Sequence, residues 1–149
     1  MKMYEALIVA ALGLCIACTK SEMKNNKLTH AGGNWLLESI EQQRIEQSGN
    51  VTNLVTAASS GSFHFYKSDT TWLLDCAYTD NGDSVSLTQR AYWFDQQAER
   101  FFISGGDCYD CDMVFNVEEQ AGSYFVLSQY EPINSDIAVI KKTYTLRRN

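Results

Sequence analysis

The residues able to do covalent or metal chemistry are few, and most of them sit in one short segment. Cys108-Tyr109-Asp110-Cys111 is flanked by Asp107 and Asp112, so two thiols and three carboxylates fall within six residues. A Cys-x-x-Cys spacing suits a loop-stapling disulfide, half of a zinc site, or a dithiol redox couple. Structural zinc wants four ligands, usually from a second Cys pair or from histidines, and the chain has neither pattern. A thioredoxin-type couple wants a helix N-terminus inside a βαβ unit, and no helical period follows Cys111. The three aspartates lack the loop spacing and closing Glu of an EF-hand, so they read as a solvated acidic loop.

His30 and His64 are the only histidines. His64 alternates with Phe63 and Phe65, which reads as a strand residue with a structural role. No Gly-x-Ser-x-Gly elbow accompanies it, and Gly105-Gly106 lacks the Lys-Ser/Thr of a phosphate loop. Glu118 and Glu119 are adjacent, so on a strand they face opposite ways and cannot act as a pair. The expectation is therefore no catalytic set, no resident metal and no cofactor. A redox or metal-dependent role for Cys108 and Cys111 is the alternative.

These residues are carried by a chain of 149 residues with net charge −6. That charge argues against a nucleic-acid binder, which would need a basic footprint, and against a whole protein that clings to anionic lipid by charge. Residues 1–17 read as an export signal. Lys2 is followed by an unbroken apolar run from Ala6 to Ala17, twelve residues where a membrane span needs about twenty. The run closes on Cys15-Ile16-Ala17-Cys18 and turns polar at once. This resembles a bacterial lipobox, in which a small residue precedes the cysteine that is acylated and becomes the new N-terminus. The resemblance implies lipidation at Cys18, a membrane partner through that lipid, and a place in the bacterial cell envelope, most simply the outer membrane.

Disulfides persist in that compartment. Cys76, Cys108 and Cys111 then remain for one bridge, either Cys108–Cys111 or one that joins Cys76 to either of them. Residues 18–32, with Lys20, Glu22, Lys24 and Lys27 and little to bury, read as a flexible tether of charge +2. Residues 33–149 form the domain and carry −8.

From Gly33 onward the period is two, broken by turn signals at short intervals. Strands are expected over 35–40, 62–66, 71–79, 84–94, 100–104, 113–118, 124–130 and 137–146. Residues 44–58 read as a short helix or an irregular crossover. Asn81-Gly82 is the strongest hairpin signal. Along 84–94 the alternation sets Val85, Leu87, Gln89, Ala91 and Trp93 on one face. Eight strands in about 116 residues, with no recurring helix, predict an all-β fold. The leading form is a small eight-stranded antiparallel up-and-down barrel, with a two-sheet sandwich as the alternative.

Gly33-Asn34-Trp35 opening the first strand, Phe63-His64-Phe65, Thr71-Trp72, and Tyr92-Trp93-Phe94-Asp95 make the region from Gly33 to Arg148 resemble lipocalin-like bacterial lipoproteins. The resemblance implies that Trp35 closes one end of the barrel and that Arg147 or Arg148, near the last strand, packs over it by cation–π contact. It also implies a non-enzymatic role. Trp72, Tyr78 and Trp93 would line a barrel mouth and receive a small hydrophobic ligand. Otherwise the domain would serve as an interaction module for an envelope protein. Strands this short argue against a deep pocket.

Overall fold

The computed structural model describes residues 20–149 apart from 59, 81, 106–111 and 134–137, and the side chains of 55–58 are left aside with them. Among the described residues one α-helix, α1 (Lys20–Thr29), leads through a tight turn (His30–Gly33) into nine strands. These are β1 (Asn34–Glu46), β2 (Val51–Ala58), β3 (Gly61–Ser68), β4 (Thr71–Asp80), β5 (Asp83–Phe94), β6 (Arg100–Ile103), β7 (Met113–Gln120), β8 (Tyr124–Pro132) and β9 (Ala138–Arg148). All neighbouring pairs are antiparallel, in the order β2-β1-β3-β4-β5-β6-β7-β8-β9, and β1 also pairs with β9. The predicted eight-stranded barrel is thus present and closed, built from β1 and β3 to β9. Closure through β1 and β9 removes the edges of the ring, while β2, outside it, pairs only with β1 among the described residues.

The ninth strand is where the sequence reading fails. Residues 44–58 hold neither a helix nor a crossover. β1 runs on to Glu46, turns at Gly49 (φ 86°), and β2 folds back along it from Ile45↔Val51 to Ser39↔Ala58. β1 consequently changes partner along one edge. Asn34 to Leu36 pair with β3, Ser39 to Ile45 pair with β2, and the opposite edge stays on β9 throughout.

The second departure is at the N-terminus. Where a tether is expected, Lys20–Thr29 is helical and packed, with Leu28 0% exposed. Its hold on the barrel is mainly polar. The backbone oxygens of Lys24, Lys27 and Leu28 accept hydrogen bonds from Gln120, Arg148 and Trp35, and Lys24 Nζ donates to Ala98 O at 2.7 Å. The last four carbonyls of a helix lack partners inside it, so barrel side chains can satisfy those of Lys27 and Leu28.

Gly33 explains the start of β1. Its φ is +67°, and a Cβ there would lie 1.8 Å from the carbonyl oxygen of Phe65. Only glycine lets the chain pass from helix to strand this close to β3.

Candidate functional site

The barrel interior is the first place to look for a ligand site, and aromatic rings occupy it. Trp35, Phe65, Phe101 and Phe125 are at most 1% exposed. Phe125 meets Phe101 edge-on at 5.5 Å between centroids, Phe65 at 6.3 Å and Trp35 at 6.4 Å. Edge-to-face contacts of this kind suit the ring quadrupole. Among the described residues, an internal gap between Phe63, Cys76, Tyr78, Phe115 and Tyr144 is about 10 Å³. That is room for about one water and far below the volume of a drug-sized ligand pocket.

The three aromatics predicted to line one mouth do not converge. Trp72 and Tyr78 face inward on β4 but lie six residues, roughly 20 Å, apart. Trp72 is half-buried against Tyr92 with Lys67 Nζ 4.8 Å above its ring. Tyr78 is buried against Phe63 and Tyr144. Trp93 points the other way, onto the outer surface, and is 37% exposed.

The cause is a bulge. Between Leu74↔Arg90 and Cys76↔Leu87, Thr88 and Gln89 together oppose Asp75. Gln89 takes φ 52°, and Asp75 Oδ1 accepts its backbone N–H at 2.6 Å. One extra residue inverts the facing of everything after it. Val85 and Leu87 therefore pack against the core while Tyr92 and Phe94 replace Ala91 and Trp93 on the inside.

On the outside, Trp93 stacks flat on Phe102, its partner on β6, at 5.4 Å and 1°. Phe102 pairs in turn with Val114 on β7, which is 41% exposed. The Asn116↔Ser128 register, carried two residues further, sets Val114 opposite Tyr130 on β8 (49% exposed), which has Lys141 Nζ 5.7 Å over its ring. Trp93, Phe102, Val114 and Tyr130 thus form an apolar stripe across four strands. Alternation breaks hide it in the sequence; the adjacent pairs Trp93-Phe94 and Phe101-Phe102, which put an aromatic on both faces, were the available signal.

The other predicted residues separate similarly. Trp35 Nε1 donates to Leu28 O at 2.9 Å, and the Arg148 guanidinium lies 4.7 Å over its ring. Arg147 faces outward instead, 3.6 Å from Glu38 and over Tyr124. Cys76 is a buried thiol without a disulfide among the described residues, and burial pushes it up to about 11. It stays protonated at neutral pH and is a poor nucleophile. His64 and Asp75 sit opposite each other on the outer face, His64 stacked on Tyr66, while Cys76 is buried in the core. Cys18, Cys108 and Cys111 lie outside the described residues.

At the end of the barrel opposite α1, Lys142 joins Asp80 (3.2 Å) and Glu131 (3.1 Å), while Lys141 meets Glu118 at 2.9 Å. Burial opposes the charge on Lys142, but hydrogen bonds to Glu131 and Asp80 outweigh it and hold the ammonium above its ordinary range. The Ser128 hydroxyl, and then Lys141, hold Glu118 below the usual carboxylate range. Among the described residues no three His, Cys, Asp or Glu side chains converge as metal ligands. No protein-family model and no curated protein matches the chain.

Proposed function

We propose that this protein is a non-enzymatic, lipocalin-like lipoprotein of the bacterial cell envelope, held at the outer membrane through acylated Cys18, whose barrel acts from its outer face as an interaction module for another envelope protein. One observation carries the choice of module over ligand carrier. Among the described residues the gap between the inward aromatics is about 10 Å³, whereas the Trp93–Phe102 stack is directed to the outer surface. Rigid aromatic pairs that no intramolecular packing requires are the kind of anchor protein partners bury. A small hydrophobic ligand would have to displace part of a filled core. The raised Cys76 thiol and the outward His64 supply no nucleophile–base pair.

The test is a photo-crosslinking residue at position 102 of the full-length protein in its own host. A discrete adduct with one envelope protein is expected, lost when Trp93 is changed to Glu. The Trp93→Glu protein should melt within about 0.5 kcal/mol of the parent, since surface substitutions rarely do more. An adduct indifferent to Trp93→Glu would overturn the reading. So would native mass spectrometry that finds a carried small molecule of ligand size, and the same spectrum reports whether Cys18 is acylated.

A further inference from the structure

The fold shortens the leash between lipid and barrel, and that decides how the barrel stands on the membrane. Fifteen residues of free chain, 18 to 32, would reach up to about 50 Å. In the structure Lys20, the first described residue, already belongs to α1 and lies two residues beyond Cys18, so the chain between them spans at most about 7 Å whatever its conformation. The helix is itself fixed across the closed end of the barrel by Leu28 and by hydrogen bonds from Trp35, Gln120 and Lys24.

We infer that the closed end of the barrel, led by the outer face of α1, rests directly on the anionic phospholipid headgroups of the anchoring membrane. This rests on the reading that Cys18 carries the lipid. The face fits that occupant. Lys20, Met23 and Lys27 recur at helical spacing on the exposed side, with Met23 52% exposed and positioned to enter the headgroup layer between two cations. Beside them Asn26, Lys27, His30, Gly122 and Arg148 border an open groove of about 420 Å³, roomy enough for a phosphate headgroup. Arg148 Nε is buried there without a protein partner. α1 carries one acid, Glu22, against Lys20, Lys24 and Lys27, and the barrel acids Asp95 and Glu99 flank Lys24 rather than this groove. A chain of net charge −6 thereby presents a local basic face to the lipid.

The orientation directs the opposite end, with the β1–β2 turn at Gly49 and the β4–β5 turn at Gly82, away from the bilayer. The outer stripe at Trp93, Phe102 and Val114 runs around the side of the barrel, where a neighbouring envelope protein can reach it.

The experiment uses the mature full-length protein in phosphatidylethanolamine–phosphatidylglycerol vesicles. Lysine acylation and carboxylate footprinting are read by mass spectrometry. The native chain is compared with one carrying ten Gly/Ser residues inserted between Thr19 and Lys20, its fold checked by circular dichroism. Lys20 and Lys27 are expected to label about five-fold more slowly in the native chain, with Glu46 and Asp83 alike in both. Equal lysine rates in two acylated proteins would overturn the orientation and leave the anchor standing. An N-terminal fragment without acyl mass would overturn the anchor reading, and this inference with it.

Discussion

The two ends of the barrel are built differently. At the closed end, Trp35, Phe65, Phe101 and Phe125 nest against one another under α1, and the one polar ring atom there, Trp35 Nε1, is spent on Leu28 O. At the far end, Tyr78, Tyr144 and Cys76 surround the small gap, and Lys142 holds Asp80 and Glu131 near the rim. The closed end gains mainly from apolar area and ring geometry, terms that need no side chain to change its protonation state. The far end depends on titratable groups being in the right state. One barrel thus contains a permanent seat and a conditional rim.

The sharpest way to break this contrast is Trp35→Ala. It removes the largest buried side chain and leaves Leu28 O and the Arg148 guanidinium without their partner. A loss of about 3–5 kcal/mol is expected by chemical denaturation. Tyr144→Phe, at the far end, should lose under about 1.5 kcal/mol. Comparable losses would abolish the distinction.

Next in size, Gly33→Ala should destabilise by more than about 2 kcal/mol, because its Cβ would overlap the Phe65 carbonyl at an already positive φ. Gly49→Ala has a similar φ but open space around it, so about 1 kcal/mol is expected. Thermal melts of the two variants should therefore separate clearly.

Alkaline titration probes the far end. Burial raises Cys76 from its ordinary 9 to about 11, so the unfolded state loses this proton first. Stability from this group is fully present below pH 9 and is lost between pH 9 and about 11, by about 2–3 kcal/mol in all. Tyr78 and Tyr144, likewise raised by burial, add to the fall above pH 10, as does Tyr92, packed on Phe65 and Phe101 toward the closed end. Cys76→Ala should flatten the first part of that curve in urea titrations at stepped pH. An unchanged curve would remove Cys76 from the explanation.

The smallest effect belongs to the rim. Lys142→Met leaves Asp80, whose side chain is only 15% exposed, without its cation, and a loss of about 1–2 kcal/mol is expected. Glu118→Gln, at a more exposed ion pair, should cost under about 1 kcal/mol. Because the carboxyl of Glu118 is held low, its share is present above the ordinary carboxylate range and disappears as pH falls through its folded value. A two-variant comparison at pH 7 and pH 3 checks both the size and the sign.

Most strands were legible because half-buried antiparallel strands leave a period of two in the sequence, as in Phe63/Phe65 and Phe125/Leu127. Helix α1 was not. It buries Asn25 and Leu28 and has no apolar stripe, since it is held largely through backbone oxygens that no side-chain pattern reports. The outer stripe was missed for a related reason. Asp75 accepting the Gln89 N–H stabilises a bulge, and strict alternation carried past Gln89 assigns Trp93 to the wrong side.

The amino-acid sequence by itself determined an antiparallel all-β domain, the number of barrel strands, and the glycine and tryptophan that begin β1. Those properties follow from local periodicity and from backbone conformations that only glycine accepts readily. Tertiary structure decided that β1 trades β3 for β2 along one edge, that β9 closes the ring, that aromatic rings nest inside it, and that a polar N-terminal segment becomes a helix across one end. Each of these turns on which distant groups satisfy one another's hydrogen bonds and occupy one another's space, and neither condition is encoded in any short stretch of chain.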